Sequence, residues 1–367
     1  MALLSHLGRL RPPFFIFAAL ASASATVHAD WSDYAPYARV ETMTYSEPVS
    51  IESAFNEWKG DFKGGERQWT HNTLEAGVET ERWSLGVFYR RDYDLRFTPD
   101  TAESYYKVQN QKDLTHGKTY LLDLRAQSFE AKGLRGSLAL QPAATWKARI
   151  GLSIFEASAL IDGSIRGQGS AITADSYHYD ARVDYHYSED LLFDRQVAPP
   201  SGWGAALDLR LEGEFTPWLR GRMRVDDLLG RIWWKDAPYT RANASSDREH
   251  YDAEGKVSFD PLISGVEGID RRHVQRLSPR FAGSLDMGPK DGWAGVAALQ
   301  YHYGQALLGA GLTRPLFSGA FRLIAWPEAH TLSLGYAKGR YQLEFATDSL
   351  SPSEAHALWL RLNIGQI

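Results

Sequence analysis

The feature that most constrains this chain is an alternation of apolar and polar side chains with a period of two residues, repeated along most of the sequence. From Tyr177 to Tyr187, every odd position is aromatic or aliphatic, and every even position is charged or histidine. The odd positions from Trp203 to Phe215 are likewise apolar or glycine. Successive side chains of a β-strand point to opposite faces, whereas a helix would scatter them around its circumference. The alternation therefore predicts an all-β protein.

The length of the alternating runs distinguishes a soluble sandwich or barrel from an outer-membrane barrel. Several runs reach 9–13 residues, which exceeds the usual soluble strand of about 5–6 residues and matches the ~9–11 residues that cross a bilayer at a tilt. The polar face also carries many charges, which suit a wet lumen better than a dry core. We therefore expect a transmembrane antiparallel β-barrel of the bacterial outer membrane, with about 14 strands in a range of roughly 12–16.

Aromatic residues mark both ends of some of these runs. Tyr177 and Tyr187 bracket one strand, and Trp293 and Tyr303 bracket another, each pair ten residues apart. Ten steps of ~3.3 Å at a tilt of ~40° give a height of roughly 25 Å, which is the height of the apolar band of an outer-membrane barrel. These four residues, together with Trp203, are predicted to be interfacial aromatics.

The apolar face between such aromatics should meet lipid. On this basis Val183, Leu209, Leu211 and Leu299 are predicted to face the bilayer near its middle. We therefore expect outer-membrane lipid to surround the barrel. The polar residues that alternate with these apolar ones are expected to line the lumen.

Composition excludes several classes of function. The chain has 40 basic and 45 acidic residues, and such a slightly acidic balance argues against a nucleic-acid partner. It has no cysteine, which excludes disulfides, a thiolate metal site and a cysteine nucleophile.

The first residues have the features of an export signal. Arg9 and Arg11 precede an apolar stretch from Phe14 to Ala25, and Val27-His28-Ala29 offers a small-residue cleavage site. We expect a cleaved signal peptide over residues 1–29 and a location in the cell outer membrane.

The remaining chain divides into two parts. Residues 30–67 are expected to hold an N-terminal strand and a segment that folds into the lumen as a plug, and residues 68–367 to form the barrel. The strand directions leave one inconsistency. If the tight turn at 216–218 is periplasmic, alternation places the end of the last strand, His356–Ile364, outside the cell. A segment must therefore be missed or merged, and residues 260–275 are the candidate.

The clearest local prediction concerns the hairpin around residues 216–218. A three-residue loop at Thr216-Pro217-Trp218 keeps the apolar residues of both strands on one face. It also places Glu212 opposite Arg222 and Glu214 opposite Arg220 inside the barrel, as ion pairs. Such a ladder either holds the lumen together or forms a selectivity ring. The predicted lumen-lining charge ladder consists of Asp208, Arg210, Glu212, Glu214, Arg220, Arg222 and Arg224.

Enzyme signatures are poor, and we expect no catalytic residue, cofactor or metal. The spacing in His186-Tyr187-Ser188 resembles that of outer-membrane lipid deacylases, but alternation puts His186 on the polar face, away from lipid. No G-x-S-x-G, H-E-x-x-H, phosphate-loop or dinucleotide-binding motif is present in the sequence.

Three charged groups of residues are also interpreted as structural. Glu189-Asp190 and Asp226-Asp227 lack calcium-loop spacing and are interpreted as solvated strand ends. Arg271-Arg272-His273 is interpreted as a charge cluster in a loop, with binding to anionic lipid headgroups as the alternative.

One stretch of the chain resembles a known group. Gly202-Trp203-Gly204 leads into a long alternating strand and a tight turn, followed by a strand from Val225 to Trp234 that reads VDDLLGRIWW. This resembles the D-L-G-x-I-x-W strand of FadL-like outer-membrane barrels, with one extra leucine. The match covers residues 202–236. It implies an outer-membrane barrel of the group that includes long-chain fatty acid transporters and conjugal-transfer TraF-like proteins.

Two classes of function follow. The first is a transport or channel barrel for a small or hydrophobic solute. The alternative is a non-conducting structural or assembly barrel that anchors a secretion, pilus or conjugation machine, with periplasmic or cell-envelope machinery as its partner.

Overall fold

A computed structural model describes residues 34–173, 176–246, 249–251, 257–259 and 263–365. The expected signal peptide lies outside the described residues. Among the described residues, no helix has both the length and the apolar character needed to cross a membrane.

The described chain is dominated by strands, with short helices only in connections. The helices are α1 (Ile51–Phe55), α2 (Pro99–Gln109) and a 3-10 turn (Pro327–Ala329). The strands are β1 (Ala35–Ser46), β2 (Arg67–Glu79), β3 (Trp83–Phe97), β4 (Thr119–Ala143), β5 (Trp146–Thr173), β6 (Ser176–Tyr187), β7 (Ser201–Thr216), β8 (Leu219–Lys235), β9 (Ala237–Ser245), β10 (Glu249–Tyr251), β11 (Val257–Phe259), β12 (Ile263–Asp270), β13 (His273–Arg276), β14 (Arg280–Met287), β15 (Ala294–His302), β16 (Gln305–Leu316), β17 (Gly319–Trp326), β18 (Thr331–Lys338), β19 (Tyr341–Thr347) and β20 (Ala357–Ile364).

The strands form a closed antiparallel β-barrel with fourteen wall strands. Around the wall the order is β1 to β5, then β7, β8 and β14 to β20. Pairing of β20 with β1, for example Leu362 with Val40, closes the barrel. Closure leaves no open strand edge in the wall, which is a requirement for a sheet that spans a membrane. The predicted fold class is therefore confirmed.

The two ends of the barrel differ in their connections. Short turns join the strands at one end, at residues 80–82, 144–145, 217–218, 288–293, 317–318 and 339–340. The opposite end carries longer connections, which include residues 47–66, 98–118 and 348–356. We call these the turn end and the loop end. In outer-membrane barrels the short turns face the periplasm, so the loop end corresponds to the outer side.

Part of the sheet protrudes beyond the wall at the loop end. Ala157 of β5 pairs with Gly202 of β7, but Ile161 of β5 pairs with Tyr187 of β6. Strand β6 then pairs with β9, and β9 with β12. We call the part of β5 from Ile161 onward, with β6, β9 and β12, the extension.

One correction resolves the inconsistency in strand direction, and a second adds two wall strands without changing that direction. Residues 250–259 alternate apolar and polar side chains and count as one wall strand by sequence, but their described parts pair as the separate hairpin β10–β11. The wall also contains β16 and β17, which the alternation does not predict. With these changes β20 runs toward the turn end. The segment at 260–275 contributes β12 and β13, which lead into β14 of the wall.

An apolar band covers the outer face of the wall. On β5, Ile150, Leu152 and Ile154 are about half exposed and lie between Trp146 near the turn end and Glu156. Ten residues separate Trp146 from Glu156, which corresponds to roughly 25 Å across a tilted barrel wall. The band therefore has the height of a lipid-facing surface.

Aromatic residues flank the band at both levels. At the loop side, Trp203 stacks on Trp233 with ring centroids 4.4 Å apart, in register with Glu156. Trp203 and Trp293 lie at these two levels and are 56% and 54% exposed, and their interfacial role remains a prediction. The turn-end group consists of Tyr34, Trp146, Phe215, Trp218, Trp293, Phe317 and Tyr341.

Two of the predicted interfacial aromatics are buried instead. Tyr187 is fully buried in the extension, where its hydroxyl lies 2.9 Å from that of Thr240. The hydroxyl of Tyr303 donates to Asp92 inside the lumen at 2.7 Å. Their interfacial assignment was wrong, because β6 lies above the apolar band and the turn at Tyr303 folds inward. The predicted role of Tyr177 concerns a side chain outside the described residues.

The predicted lipid-facing residues also differ in where the structure places them. Leu209, Leu211 and Leu299 are partly exposed, and Leu299 pairs with the exposed Leu308 on the outer face. Val183 is 1% exposed and packs in a core above the band. Its lipid-facing prediction was wrong because β6 belongs to the extension.

That core lies on the outer face of the sheet above the apolar band. Tyr93 and Leu95 of β3 alternate with Asp92 and Asp94, which point into the barrel, so the two apolar residues point outward. Trp58, from the connection after α1, packs with them. The predicted plug segment therefore packs against the outside of the sheet rather than entering the lumen. The same cluster includes Val49, Ala54, Phe97, Ala102, Tyr105, Tyr106, Leu124, Ile165, Val183, Tyr185 and Tyr187.

The position of the apolar band can be tested by substitution. Replacing Leu152 with arginine should destabilise the barrel by about 2–4 kcal/mol, because the charge would sit near the middle of the lipid layer. Ser158→Arg is the matched control, since Ser158 lies on the same face of the same strand but beyond Glu156. Its cost should be about 0–1 kcal/mol. Urea unfolding in lipid vesicles measures both, and equal losses would contradict the position of the band.

Candidate functional site: the charged lumen

Two apolar clusters occupy parts of the lumen toward the loop end. The first is centred on Trp69, Trp326 and Trp359, which are at most 2% exposed. The second is centred on Phe155 and Trp234 on the other side of the barrel. Between them lies a group of buried charges, which we call the charged cluster and define as His71, Arg90, Asp92, Asp227, Arg280 and Tyr303.

Arg90 is the centre of the charged cluster. From β3 it donates to Asp92 on its own strand at 3.0 and 2.6 Å. Its terminal nitrogens also donate to both carboxylate oxygens of Asp227 on β8, at 2.6 and 2.7 Å. Strand β8 lies four places from β3 around the wall, so this bidentate pair bridges the lumen. Such a fork-to-carboxylate pair is among the strongest side-chain interactions.

The other members complete the cluster from two more strands and one turn. Arg280 of β14 lies 3.3 Å from Asp227. His71 Nδ1 of β2 lies 2.7 Å from Asp92, and the Tyr303 hydroxyl reaches Asp92 from the opposite wall at 2.7 Å. Every charged group of the cluster is at most 3% exposed. The lumen is therefore filled by side chains at this level.

A second cross-lumen link lies beside this cluster. Arg224 of β8 bonds Asp226 at 2.9 Å and Glu41 of β1 at 2.8 Å. Glu41 also accepts from Arg361 of β20 at 3.0 Å, and Arg361 lies 3.2 Å from Glu344 of β19. This chain connects the wall near the barrel closure to β8.

A third group connects β1, β2, β4 and β7. Glu75 accepts from Tyr37 at 2.8 Å, from Arg39 at 3.2 Å and from Arg135 at 2.7 Å. Arg135 also lies 3.1 Å from Asp208. Asp208 accepts the backbone N–H of Asp227 at 3.1 Å, so this group is joined to the charged cluster.

Bulges in β8 create the site. Along β7, Ala205, Leu207 and Leu209 pair with Arg231, Leu228 and Val225, so β8 has two extra residues over this stretch. Bulges are common next to functional sites, where they re-aim a side chain. The backbone φ is 61° at Asp227 and 63° at Leu229, which is unusual for residues other than glycine.

The bulges turn two consecutive acids into the lumen. Asp226 bonds Arg224 and Asp227 bonds Arg90, and both acids are buried. Their interpretation as solvated strand ends was therefore wrong. Asp190 is also buried, where it accepts from the Tyr187 hydroxyl at 3.3 Å and from the Phe193 N–H at 2.9 Å.

The hairpin between β7 and β8 differs from the prediction in form. Only Pro217 and Trp218 lie in the turn, and Thr216 pairs with Leu219. A register shift at Phe215 adds the one residue that the predicted three-residue loop would have supplied. The register is consequently the same, with Glu212 opposite Arg222, Glu214 opposite Arg220 and Arg210 opposite Arg224.

The predicted ion pairs of the ladder were wrong, although the register is right. Arg222 bonds Asp286 of β14 at 2.9 Å rather than Glu212. Glu214 lies 2.5 Å from Lys290 in a turn. Glu212 and Glu214 lie near the turn end. The arginines opposite them are on β8, which also pairs with β14 and therefore offers these arginines other partners. Of the seven predicted ladder residues, Asp208 and Arg224 are the two that bond to the buried network.

Most of the buried network was missed by the sequence analysis. Glu41, Arg90, Asp92 and Arg280 lie in strands whose charges are interspersed with apolar residues, as in a solvated strand. One signal was available: the adjacent acids Asp226-Asp227 interrupt the period of two, and an interruption within a strand indicates a bulge.

Comparisons with known proteins add a likeness in fold. No family model and no curated protein matches the chain. The toluene transporter TbuX of Ralstonia pickettii is similar at a TM-score of 0.33 and 7% identity, covering 91% of this chain and 90% of that one. The toluene transporter TodX of Pseudomonas putida is similar at a TM-score of 0.29 and 9% identity, covering 89% and 87%.

A more distant likeness is to the siderophore receptor PirA of Pseudomonas aeruginosa, at a TM-score of 0.22 and 10% identity, covering 90% of this chain and 80% of that one. With every identity at or below 10% and every TM-score below 0.5, the function of this chain has to be argued from its own geometry.

Proposed function

We propose that this protein is an outer-membrane transport barrel for a small polar solute, and that the charged cluster is the gate of its lumen. The observation that carries the proposal is the bidentate bridge from Arg90 to Asp227 across the lumen. The bridge joins two walls by side chains alone, so it can break and form again without any change in strand pairing.

The chemistry of the cluster favours a gate over a structural brace. Burying ions costs desolvation energy, and apolar residues of similar volume often stabilise a protein equally well or better. The lumen of this barrel already contains two apolar clusters, yet the space between them holds charges. Charged groups that exchange partners with water and solute are suited to gating.

The surroundings of the gate indicate the class of solute. Between the cluster and the turn end, charged residues of both signs continue along the lumen, including Glu75, Arg135, Asp286 and Arg322. On the side of the loop end, a small cavity of about 10 Å³, with room for about one water molecule, adjoins the cluster at Asp92 and Tyr303. A route lined by both signs favours hydrogen-bonding solutes over hydrocarbon.

Removing the bridge should open the lumen. The double variant Arg90→Ala with Asp227→Ala deletes both partners together and so leaves neither of them as an unpaired buried charge. We expect it to conduct ions in planar bilayers with single-channel steps well above those of the wild-type protein. The control is Glu214→Ala with Lys290→Ala, which removes an ion pair near the turn end, outside the cluster, and should conduct like the wild type.

A folded double variant that conducts no more than the wild type would contradict the gate. Folding of each variant is checked by the shift in gel mobility on boiling. If wild type and both variants are all silent, the alternative function, a non-conducting anchor for cell-envelope machinery, becomes the better interpretation.

A further inference from the structure

Four side chains from distant parts of the sequence meet at the base of the extension. His186 belongs to β6, Asp270 ends β12, His273 begins β13 and Asp162 belongs to β5. All four lie on the side of Glu156 that is away from the apolar band, because their strands have left the wall at this level. None of them takes part in the charged cluster.

The side chains are close enough to share a ligand. One potential metal-binding atom from each of His186, Asp270 and His273 lies within 4.8 Å of the other two. The two imidazole rings stack with centroids 3.8 Å apart and an interplanar angle of 14°. Asp270 lies 3.4 Å from His186 Nε2, and Asp162 lies 2.9 Å from His273 Nε2.

An independent observation points to a missing partner. His186 is 8% exposed, and its Nε2 has no hydrogen-bond partner among the described residues. The carboxylate of Asp270 is within ion-pair distance but outside hydrogen-bond geometry. A buried ring nitrogen without a partner costs free energy unless something binds it.

We propose that His186, His273 and Asp270 form a binding site for a divalent transition metal ion, with zinc as the best-fitting ion. Imidazole nitrogen with carboxylate oxygen is a donor set typical of zinc, and calcium and magnesium prefer oxygen ligands alone. Three protein ligands leave one position of a tetrahedral ion for water, and the partly exposed Asp270 leaves that side open to solvent.

Asp162 has a positioning role in this site. A metal-binding histidine commonly donates its second ring nitrogen to a carboxylate, which fixes the tautomer and the orientation of the ring. Asp162 contacts His273 Nε2 at 2.9 Å, so in this arrangement the ion is bound by Nδ1 of the same ring. Gln127 in turn donates to the other oxygen of Asp162 at 3.2 Å and holds that carboxylate in place.

The small size of the required movement supports the assignment. Ligand atoms bound to one tetrahedral zinc ion at ~2.0–2.1 Å lie about 3.3 Å apart. The three atoms here are already within 4.8 Å of one another. One imidazole has to rotate out of the ring stack on binding, because a bound metal ion lies in the plane of each ring. The ion would join β6 to the β12–β13 turn, and it would thereby fasten the extension to the top of the barrel wall.

The experiment is a calorimetric titration of the full-length barrel in detergent with zinc chloride, after treatment with a chelator. We expect one saturating equivalent of zinc for the wild-type protein and no saturable binding for His186→Gln or Asp270→Asn. Asp162→Asn should weaken binding by about 10-fold or more, as is usual when the partner of a metal-binding histidine is removed. Magnesium chloride should give no saturable binding.

His178→Gln is the matched control, because His178 lies on the same strand, exposed and in contact with Ser246, away from the cluster. Its affinity should equal that of the wild type. The proposal is overturned if the wild type shows no saturable zinc binding, or if His178→Gln loses as much affinity as His186→Gln. Asp270 is 41% exposed, so Asp270→Asn provides a test even if the buried His186 variant does not fold.

Discussion

Replacing Arg90 with alanine should lower the free energy of unfolding of the barrel by about 3–5 kcal/mol, the usual cost of removing one partner from a buried ion pair. The side chain is 4% exposed and neutralises two acids, Asp92 and Asp227. Its removal leaves Asp227 with Arg280 as its remaining partner, at 3.3 Å. Urea unfolding in lipid vesicles, followed by tryptophan fluorescence, measures the loss.

The next residue along the strand supplies the control. Arg91 points to the opposite face and pairs with Glu130 at 3.0 Å, with both side chains more than a quarter exposed. Exposed pairs of this kind are worth below about 1 kcal/mol, so Arg91→Ala should have a small effect. Adding Asp227→Ala to Arg90→Ala should recover part of the larger loss, because the buried acid that has lost its bidentate partner is then removed. Equal effects of Arg90→Ala and Arg91→Ala would show that the bridge does not form.

The sequence predicted the architecture because alternation is a local property. Strands β6, β7 and β8 place polar residues on one face and apolar residues on the other, so their period of two is visible in the sequence. The register of the β7–β8 hairpin was likewise correct, since the predicted three-residue loop and the observed two-residue turn with a bulge at Phe215 give the same pairing. One bulged residue in a strand and one extra residue in the loop shift the pairing of the two strands by the same amount.

The alternation fails where the lumen is not polar. The inward residues of β16 include Leu307, Gly309 and Gly311, and those of β17 include Ile324 and Trp326. With apolar or glycine residues on both faces, the period of two disappears from the sequence. These strands were missed for that reason. Since they are two in number, the wrong direction of the last strand came instead from counting the alternating stretch at 250–259 as a wall strand.

The charged cluster was not predictable for a different reason. Arg90 and Asp227 are 137 residues apart, and their contact depends on the closure of the barrel and on two bulges in β8. The same limit applies to the histidine–aspartate site, where His186 and His273 belong to strands that are not neighbours in sequence. Alternation predicts the face of the strand on which each residue lies, but it does not predict which residues meet across the lumen.

The largest apolar effect is expected inside the lumen rather than on the lipid-facing surface. Trp326 is 2% exposed, donates to Ser333 Oγ at 3.1 Å, and makes an edge-to-face contact with Trp359 at 5.7 Å. Replacing Trp326 with alanine should cost about 3–5 kcal/mol, because both the transfer energy and the cavity contribute and the surrounding wall is too rigid to collapse. The unfolding measurement is the same as for Arg90→Ala.

Trp218→Ala is the control for this prediction, because Trp218 lies in the turn between β7 and β8 and is 57% exposed. It should lose much less stability, since its removal leaves no internal cavity. A larger loss for Trp218→Ala than for Trp326→Ala would mean that the barrel is held mainly by its contacts with lipid. The opposite order would establish that the packed lumen stabilises the wall. In the proposed transport function a barrel packed in this way conducts only when side chains move, and the Arg90–Asp227 bridge can open without any change in strand pairing.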